Sequence, residues 1–229
     1  MSDAPGARGW LLTGTDTGAG KTVAACALLH ALRARGLRAS GMKPVASGCT
    51  DTGTGLRNAD ALALLAASDP RPPYADCNPC ALPEPTAPQI AARLAGVRIA
   101  LAPMVSAYAR IAARADRVVV EGVGGWLAPP GDGIEHADLA RALQLPVVLV
   151  VGLRLGCLNH ARLTARAIAA DGCTLAGWIG TGVDPDFAHR DAYLSLLREA
   201  VPAPCWGVLP HAQAPDAAQL AQQLVLPSG

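Results

Sequence analysis

The run LLTGTDTGAGKT at residues 11–22 constrains this chain more than any other stretch. An apolar lead-in enters a glycine-rich turn, which ends in Gly20-Lys21-Thr22 and opens a helix-forming segment at 23–32. Strand, glycine turn and helix form the context a phosphate-binding loop requires. Backbone N–H groups and the positive end of the helix surround phosphate oxygens. In such a loop Lys21 reaches the outer phosphates and the Thr22 hydroxyl coordinates magnesium. The spacing is unusual. The pattern G-x-x-x-x-G-K-[ST] places its first glycine where Thr15 stands, and here the glycine comes one residue earlier, at Gly14. A tight turn without a ligand is the alternative, and the flanking strand and helix patterns argue against it. A nucleoside triphosphate is therefore expected, and the open question is what receives its phosphoryl group.

The 229 residues are 51% hydrophobic and 16% charged, with a net charge of +1. That apolar share suffices for a large covered sheet. The charge gives no electrostatic case for nucleic acid or an acidic membrane. No apolar run is long enough for a membrane span, and residues 1–9 lack a signal peptide's apolar stretch, so a cytoplasmic protein is expected. The length favours one α/β domain over residues 1–229, with no repeat or linker to divide it. Seven scattered cysteines argue against a disulfide framework. Cys77-Asn78-Pro79-Cys80 has C-x-x-C spacing but no second pair at zinc-site spacing, so it reads as reduced thiols in a loop.

Continuously apolar runs at 10–13, 39–43, 117–121, 147–151, 175–180 and 205–208 read as strands. They alternate with helical runs at 21–35, 101–114, 136–143, 158–170, 189–200 and 214–224. This predicts a three-layer α/β fold of P-loop NTPase type, its mostly parallel central sheet flanked by helices. Residues 68–88, rich in proline, read as one long irregular loop.

Ligands of an open α/β sheet gather at the carboxyl ends of its strands. The second strand ends in Lys43-Pro44-Val45-Ala46-Ser47-Gly48, which is either a second phosphate-facing lysine or a surface lysine beside a turn. The third ends in Glu121-Gly122-Val123-Gly124-Gly125, where such a sheet places a magnesium-associated acid; an N-cap is the plainer alternative. Asp60 is equally well a helix N-terminal acid. Leu155-Gly156-Cys157-Leu158-Asn159-His160 starts a helix, and Asn159 is either an anion contact or an ordinary cap. His160 tempts one toward general-base chemistry, but a lone histidine is more often structural.

Taken together these blocks resemble dethiobiotin synthetase. They are TGTDTGAGKT (13–22), KPVASG (43–48), LRNADALAL (56–64), EPTAP (84–88), VEGVGGW (120–126), LGCLNH (155–160) and LAGW (175–178), in family order over residues 10–210. The resemblance implies an ATP-dependent cyclo-ligase. Its substrates would be ATP, carbon dioxide and 7,8-diaminononanoate. One amine forms a carbamate, the carbamate takes the γ-phosphate, and the other amine closes a ureido ring. By the same resemblance Lys43 and Lys21 are catalytic, and Thr22, Asp60 and Glu121 hold Mg2+. The nucleotide is contacted by Thr17, Gly18, Ala19, Gly20, Lys21, Thr22, Val23, Asp60, Glu121, Gly122, Val123, Gly124, Thr181, Gly182 and Pro210. Thr17 and Ser47 position the diamine and carbamate. Gly156, Cys157 and Asn159 contact the diamine's carboxylate end across the interface of a homodimer.

Two positions depart from the family. Thr181-Gly182 stands where well-known members carry Asn-Asp, whose amide reads the adenine edge, so relaxed choice among triphosphates is predicted. Gly18 stands where acidic residues often occur. A partition-type ATPase is disfavoured, because no lysine precedes Gly18 in the loop and the chain lacks a basic run. A small-molecule kinase would need an arginine-bearing lid, and residues 68–88 contain only Arg71. A pure nucleotide-binding module is the non-enzyme alternative.

Overall fold

Val118, Val119 and Val120 are all fully buried, although successive residues of a strand face opposite sides of its sheet. Only a sheet covered on both faces allows this, and such a sheet organises the computed structural model, which describes residues 8–227. The chain forms β1 (Gly9–Gly14), α1 (Lys21–Ala34), β2 (Ala39–Met42), β3 (Val45–Ala46), β4 (Thr50–Asp51), β5 (Leu56–Arg57), α2 (Ala59–Ala67), α3 (Tyr74–Cys77), β6 (Cys80–Ala81), α4 (Pro88–Leu94) and α5 (Leu101–Ala112). It continues through β7 (Arg117–Gly125), α6 (His136–Leu143), β8 (Val147–Gly152), α7 (Cys157–Ala170), β9 (Leu175–Thr181), α8 (Arg190–Ala200), β10 (Cys205–Leu209) and α9 (Ala217–Leu220).

Six strands make the central sheet in the order β10-β9-β8-β1-β7-β2, and every pairing in it is parallel. Leu12, Val119, Val148 and Val150 pack with residues of α1, α2 and α9 on one side. Leu11, Val118 and Val120 pack with α5 and α6 on the other, where Leu149, Val151 and Trp178 meet α7 and α8. The expected three layers are therefore present. From β1 the chain moves outward to β2 on one side and later to β8 on the other. The order reverses at β1, and a crevice opens at that point beyond the carboxyl ends of the strands.

All six predicted strands and six predicted helical runs form, with shifts at their ends. β7 runs past Glu121 to Gly125, where it pairs with Gly14 across a register shift. The helix expected at 214–224 starts only at Ala217. Asp216 caps it there, its carboxylate accepting the N–H groups of Ala218 and Gln219, and a 3-10 turn (Ala221–Gln223) follows α9. Residues 68–88 are not one irregular loop. They hold α3 and β6, the latter paired with β3, and Pro88 opens α4 at a position where a missing N–H is harmless. Helix α2 lies outside the predicted runs. Its cap is Asn58, whose side chain accepts the N–H groups of Asp60 and Ala61. The expectation about a leader segment falls mostly on residues 1–7, outside the described residues.

Candidate active site

Helix α1 begins without a side-chain cap. Gly20 takes a left-handed conformation (φ 81°), and the first turn holds no acidic residue. Most helices offer an oxygen to their first N–H groups; here those donors stay open, which suits an anion. The displaced glycine has a packing reason. A Cβ at Gly14 would stand 3.1 Å from the Lys21 ammonium and 3.0 Å from the Asp16 carbonyl. Lys21 is 7% exposed, and its Nζ donates to that carbonyl at 3.0 Å. It forms no salt bridge among the described residues. Burial lowers its pKa and Lys43 lowers it further, against the opposing pull of Glu121, Asp60 and Asp16.

Lys43 follows β2 directly and is 4% exposed, so it is not a surface lysine. Its Nζ donates to Glu121 Oε1 at 2.6 Å, to Asp60 Oδ2 at 3.1 Å and to the Gly122 carbonyl at 3.3 Å. An ammonium has three hydrogens, and all three are placed. Burial works to lower the Lys43 pKa, but Glu121 and Asp60 outweigh it and the net shift is upward. Burial likewise works to raise Asp60, and Lys43, Thr22 and Lys21 bring it below the usual carboxylate value. Asp60 is a helix N-terminal acid, the second residue of α2, and it is also a partner of Lys43.

Thr22 Oγ1 donates to Glu121 Oε1 at 2.9 Å. The other carboxylate oxygen, Oε2, is buried with no hydrogen-bond partner among the described residues. Buried oxygens are normally satisfied, so this one marks an absent partner. Thr22, Asp60 and Glu121 together offer hard oxygen donors of the kind magnesium takes.

A cleft of about 720 Å³ opens over this cluster. Of the predicted residues, Thr17, Gly18, Gly20, Lys21, Thr22, Val23, Lys43, Ser47, Asp60, Glu121, Val123 and Gly124 line it, joined by Asn58 and the segment from Pro85 to Pro88. Gly122 meets the site through its carbonyl. The rest lie elsewhere. Thr181 is buried at the end of β9, and its hydroxyl donates to the Ala19 carbonyl at 2.5 Å, with the Val151 carbonyl 3.3 Å away. The Gly182 N–H donates to the Leu209 carbonyl, the Gly182 carbonyl faces His211 Nδ1 at 3.0 Å, and Pro210 is exposed. Gly156 (φ 95°) precedes α7, which also starts uncapped; Cys157 is buried and Asn159 exposed. Arg154, just ahead of them, pairs with Asp16 at 2.7 Å, so the start of α7 borders the phosphate loop.

Sequence reasoning passed over the residues that hold this cluster in place. In the C-x-x-C segment the working residue is Asn78, whose Nδ2 donates to the Lys43 carbonyl at 2.7 Å. The Tyr74 hydroxyl donates to Asn78 Oδ1 at 3.1 Å and accepts the Asn58 N–H at 2.8 Å. One network thus ties the backbone of Lys43 to the cap of the helix that carries Asp60. A capping asparagine two residues before Asp60 was a readable signal; Tyr74 and Asn78 carry none of their own. The histidine beneath the site is His136, not His160. Its Nε2 accepts the Val123 N–H at 3.2 Å.

A family model described as an AAA domain matches residues 8–219. Among curated relatives, the protein named ATP-dependent dethiobiotin synthetase BioD of Xanthomonas euvesicatoria pv. vesicatoria (strain 85-10) is 59% identical over 216 residues, 94% of this chain and 96% of that one. The protein of the same name from Xylella fastidiosa (strain 9a5c) is 60% identical over 200 residues, 87% and 88% of the two chains. Among solved structures, signal recognition particle 54 kDa protein from Aeropyrum pernix K1, in complex with GDP, aligns with a TM-score of 0.58 at 16% identity, over 94% of this chain and 44% of that one. Cell division protein ftsY of Thermotoga maritima aligns with a TM-score of 0.55 at 16% identity, over 99% and 72%. The structural neighbours share the fold alone, which is that of P-loop NTPases, and the close relatives settle the family. This chain belongs to the dethiobiotin synthetase family.

Proposed function

We infer that the chain is an ATP-dependent ligase that closes the ureido ring of dethiobiotin from 7,8-diaminononanoate and carbon dioxide, the whole chain acting as one domain. The observation that carries this reading is the Lys43 ammonium, buried at the strand edge between Glu121, Asp60 and the Gly122 carbonyl and next to an uncapped phosphate loop. One amine takes up carbon dioxide and loses a proton to give a carbamate. A carbamate oxygen attacks the γ-phosphorus, ADP departs, and a carbamic–phosphoric anhydride remains. The second amine attacks the carbonyl carbon, the C–O bond to phosphate breaks, and phosphate and a proton leave.

The difficult step brings one anion onto another, so cations belong between them. Lys21 is a buried cation that forms no salt bridge among the described residues, which suits it to the triphosphate. Lys43 is assigned to the carbamate as it approaches that triphosphate, and Thr17 and Ser47, which line the same cleft, are assigned to the diamine and carbamate. Thr22, Asp60 and Glu121 are assigned to Mg2+, and the unpartnered Glu121 Oε2 supports that assignment. Magnesium, when bound, shields the charge of the triphosphate. The nucleotide is assigned to the loop from Thr17 to Val23 and to Val123 and Gly124, with its base toward Thr181, Gly182 and Pro210.

Gly156, Cys157 and Asn159 are assigned to the diamine's carboxylate end across a homodimer interface, supported by the open start of α7. No helix among the described residues is long and apolar enough to cross a membrane; a cytoplasmic location is proposed on the sequence reading. The deciding experiment is phosphate release from ATP. It is expected to require both carbon dioxide and the diamine, and release that needs neither sinks the assignment.

A further inference from the structure

His136 opens α6 and is 1% exposed, a buried titratable group with no part in the reaction described above. Because its Nε2 accepts the Val123 N–H, the ring hydrogen sits on Nδ1, which donates to the Trp126 carbonyl at 3.0 Å. The Val123 N–H belongs to the same peptide as the Gly122 carbonyl, and that carbonyl accepts from Lys43 Nζ at 3.3 Å. The N–H and C=O of a trans peptide point to opposite edges of its plane. The imidazole therefore holds one edge of this peptide and the Lys43 ammonium meets the other. Hydrogen bonds linked in this way polarise one another.

The surroundings keep the ring in place. Gly122 has no side chain, and a Cβ there would stand 2.8 Å from Nε2. Trp126 stacks on the ring at 6.1 Å and 27°, and its indole N–H donates to Asp171 at 2.6 Å. Burial foremost, with Lys21 and Lys43 adding to it, holds the His136 pKa down to about 4, so the accepting nitrogen stays free of a proton near neutrality.

We propose that His136 is a positioning residue for the ligase reaction: its Nε2 sets the peptide joining Gly122 to Val123, and through it the direction of the Lys43 ammonium. The proposal rests on the reading of Lys43 as the lysine that serves the carbamate and the γ-phosphate. It is distinct from a packing role, because a packed ring needs no particular tautomer and no acceptor.

The test compares phosphate release by wild type, His136→Leu and His136→Gln with ATP, magnesium, the diamine and bicarbonate. Leucine fills much of the space without an acceptor, and the glutamine Oε1 restores an acceptor at the reach of Nε2. Outer partners of a site typically matter by about 10–100-fold, so His136→Leu is expected to lose kcat by that factor, with a KM for ATP changed less than about threefold. His136→Gln is expected to recover most of that loss. Equal kcat in wild type and His136→Leu overturns the proposal, as does a glutamine variant no better than the leucine one. Nitrogen-15 NMR of the wild-type histidines decides the matter even where a variant does not fold. The neutral Nδ1–H form is expected for His136, and an Nε2–H form overturns the proposal. Wild-type phosphate release that needs neither diamine nor carbon dioxide fails differently: it removes the ligase reading itself, and the proposal with it.

Discussion

The carboxyl edge of the sheet has two ends that differ in how their polar groups are spent. Beyond β1, β2 and β7, two buried lysines and two carboxylates crowd together, and among the described residues one lysine forms no salt bridge and one carboxylate oxygen has no donor. Beyond β9 and β10, the Thr181 hydroxyl, the Gly182 N–H and the Gly182 carbonyl all have protein partners. Unmet hydrogen-bonding and charge demands in a buried place are costly, and they persist where a ligand completes them. The first end has an open cation for something negative and, under the proposed function, a place for a metal beside it. The second is finished already and asks little of whatever lies against it.

The largest break in this contrast comes from Lys43→Ala. Removing a preorganised cation from developing charge costs on the order of a thousandfold in turnover, and this cation bridges both carboxylates. The change also leaves Glu121 buried without its cation, which costs about 3–5 kcal/mol unless the carboxyl takes up a proton. Urea unfolding alongside steady-state rates separates the two effects. The variant is expected to fold with lower stability and to lose nearly all turnover; wild-type-like turnover refutes the role.

Acid tests the same end by another route. The groups facing the His136 ring are Lys21 and Lys43 as charges, the Trp126 and Ala128 carbonyls, and the Val123 N–H. Its pKa is held at about 4 against an ordinary 6.5, so between those values the unfolded chain binds a proton that the folded chain refuses. Stability is whole above the unfolded value and falls as pH drops through the window, by up to roughly 3 kcal/mol. Unfolding curves from pH 7 to pH 4 measure that slope. His136→Leu is expected to flatten it, and an unchanged slope assigns the acid lability to other groups.

Lys21 sharpens the contrast between the two lysines. A charge-assisted contact to phosphate contributes about 1.5–3 kcal/mol, so Lys21→Ala is expected to weaken ATP binding roughly 10–100-fold by titration. Its effect on the free protein has the opposite character to that of Lys43→Ala. Burial lowers the Lys21 pKa, so its charge costs the unliganded fold free energy, and the variant is expected to be at least as stable as wild type without nucleotide. A clear loss of stability contradicts the view of Lys21 as an unmatched cation.

The fold was legible because its strands are unbroken apolar runs separated by helical periodicity, and the phosphate loop declares itself by residue type and spacing. Lys43, Glu121 and Asp60 were legible as polar residues at strand ends or in ordered blocks. The residues that hold them were not, because a side chain bonded to a distant backbone group leaves no pattern in sequence. Asn78 reaches the Lys43 carbonyl across 35 positions, and His136 reaches Val123 across 13. Residues 68–88 misled for a related reason: prolines that read as disorder of pattern instead bound a short helix and a two-residue strand.

The finished end supplies the smallest expected effect, and under the proposed function it concerns the base of the nucleotide. An amide reads a base edge with a donor and an acceptor together, whereas the Thr181 hydroxyl has one hydrogen, already given to Ala19. Gly182 adds no free donor, since its N–H is engaged, and Pro210 has no N–H to give. Discrimination between purine and pyrimidine triphosphates then rests on stacking and shape. Thr181, Gly182 and Pro210 offer no free donor whose loss would make the site strict by rejection. Values of kcat/KM for ATP, CTP and GTP are expected to fall within about tenfold of one another, a spread of about 1.4 kcal/mol. A preference for ATP of a thousandfold or more breaks the contrast, because strictness on that scale requires a polar group at this edge that the base leaves unsatisfied when it is wrong.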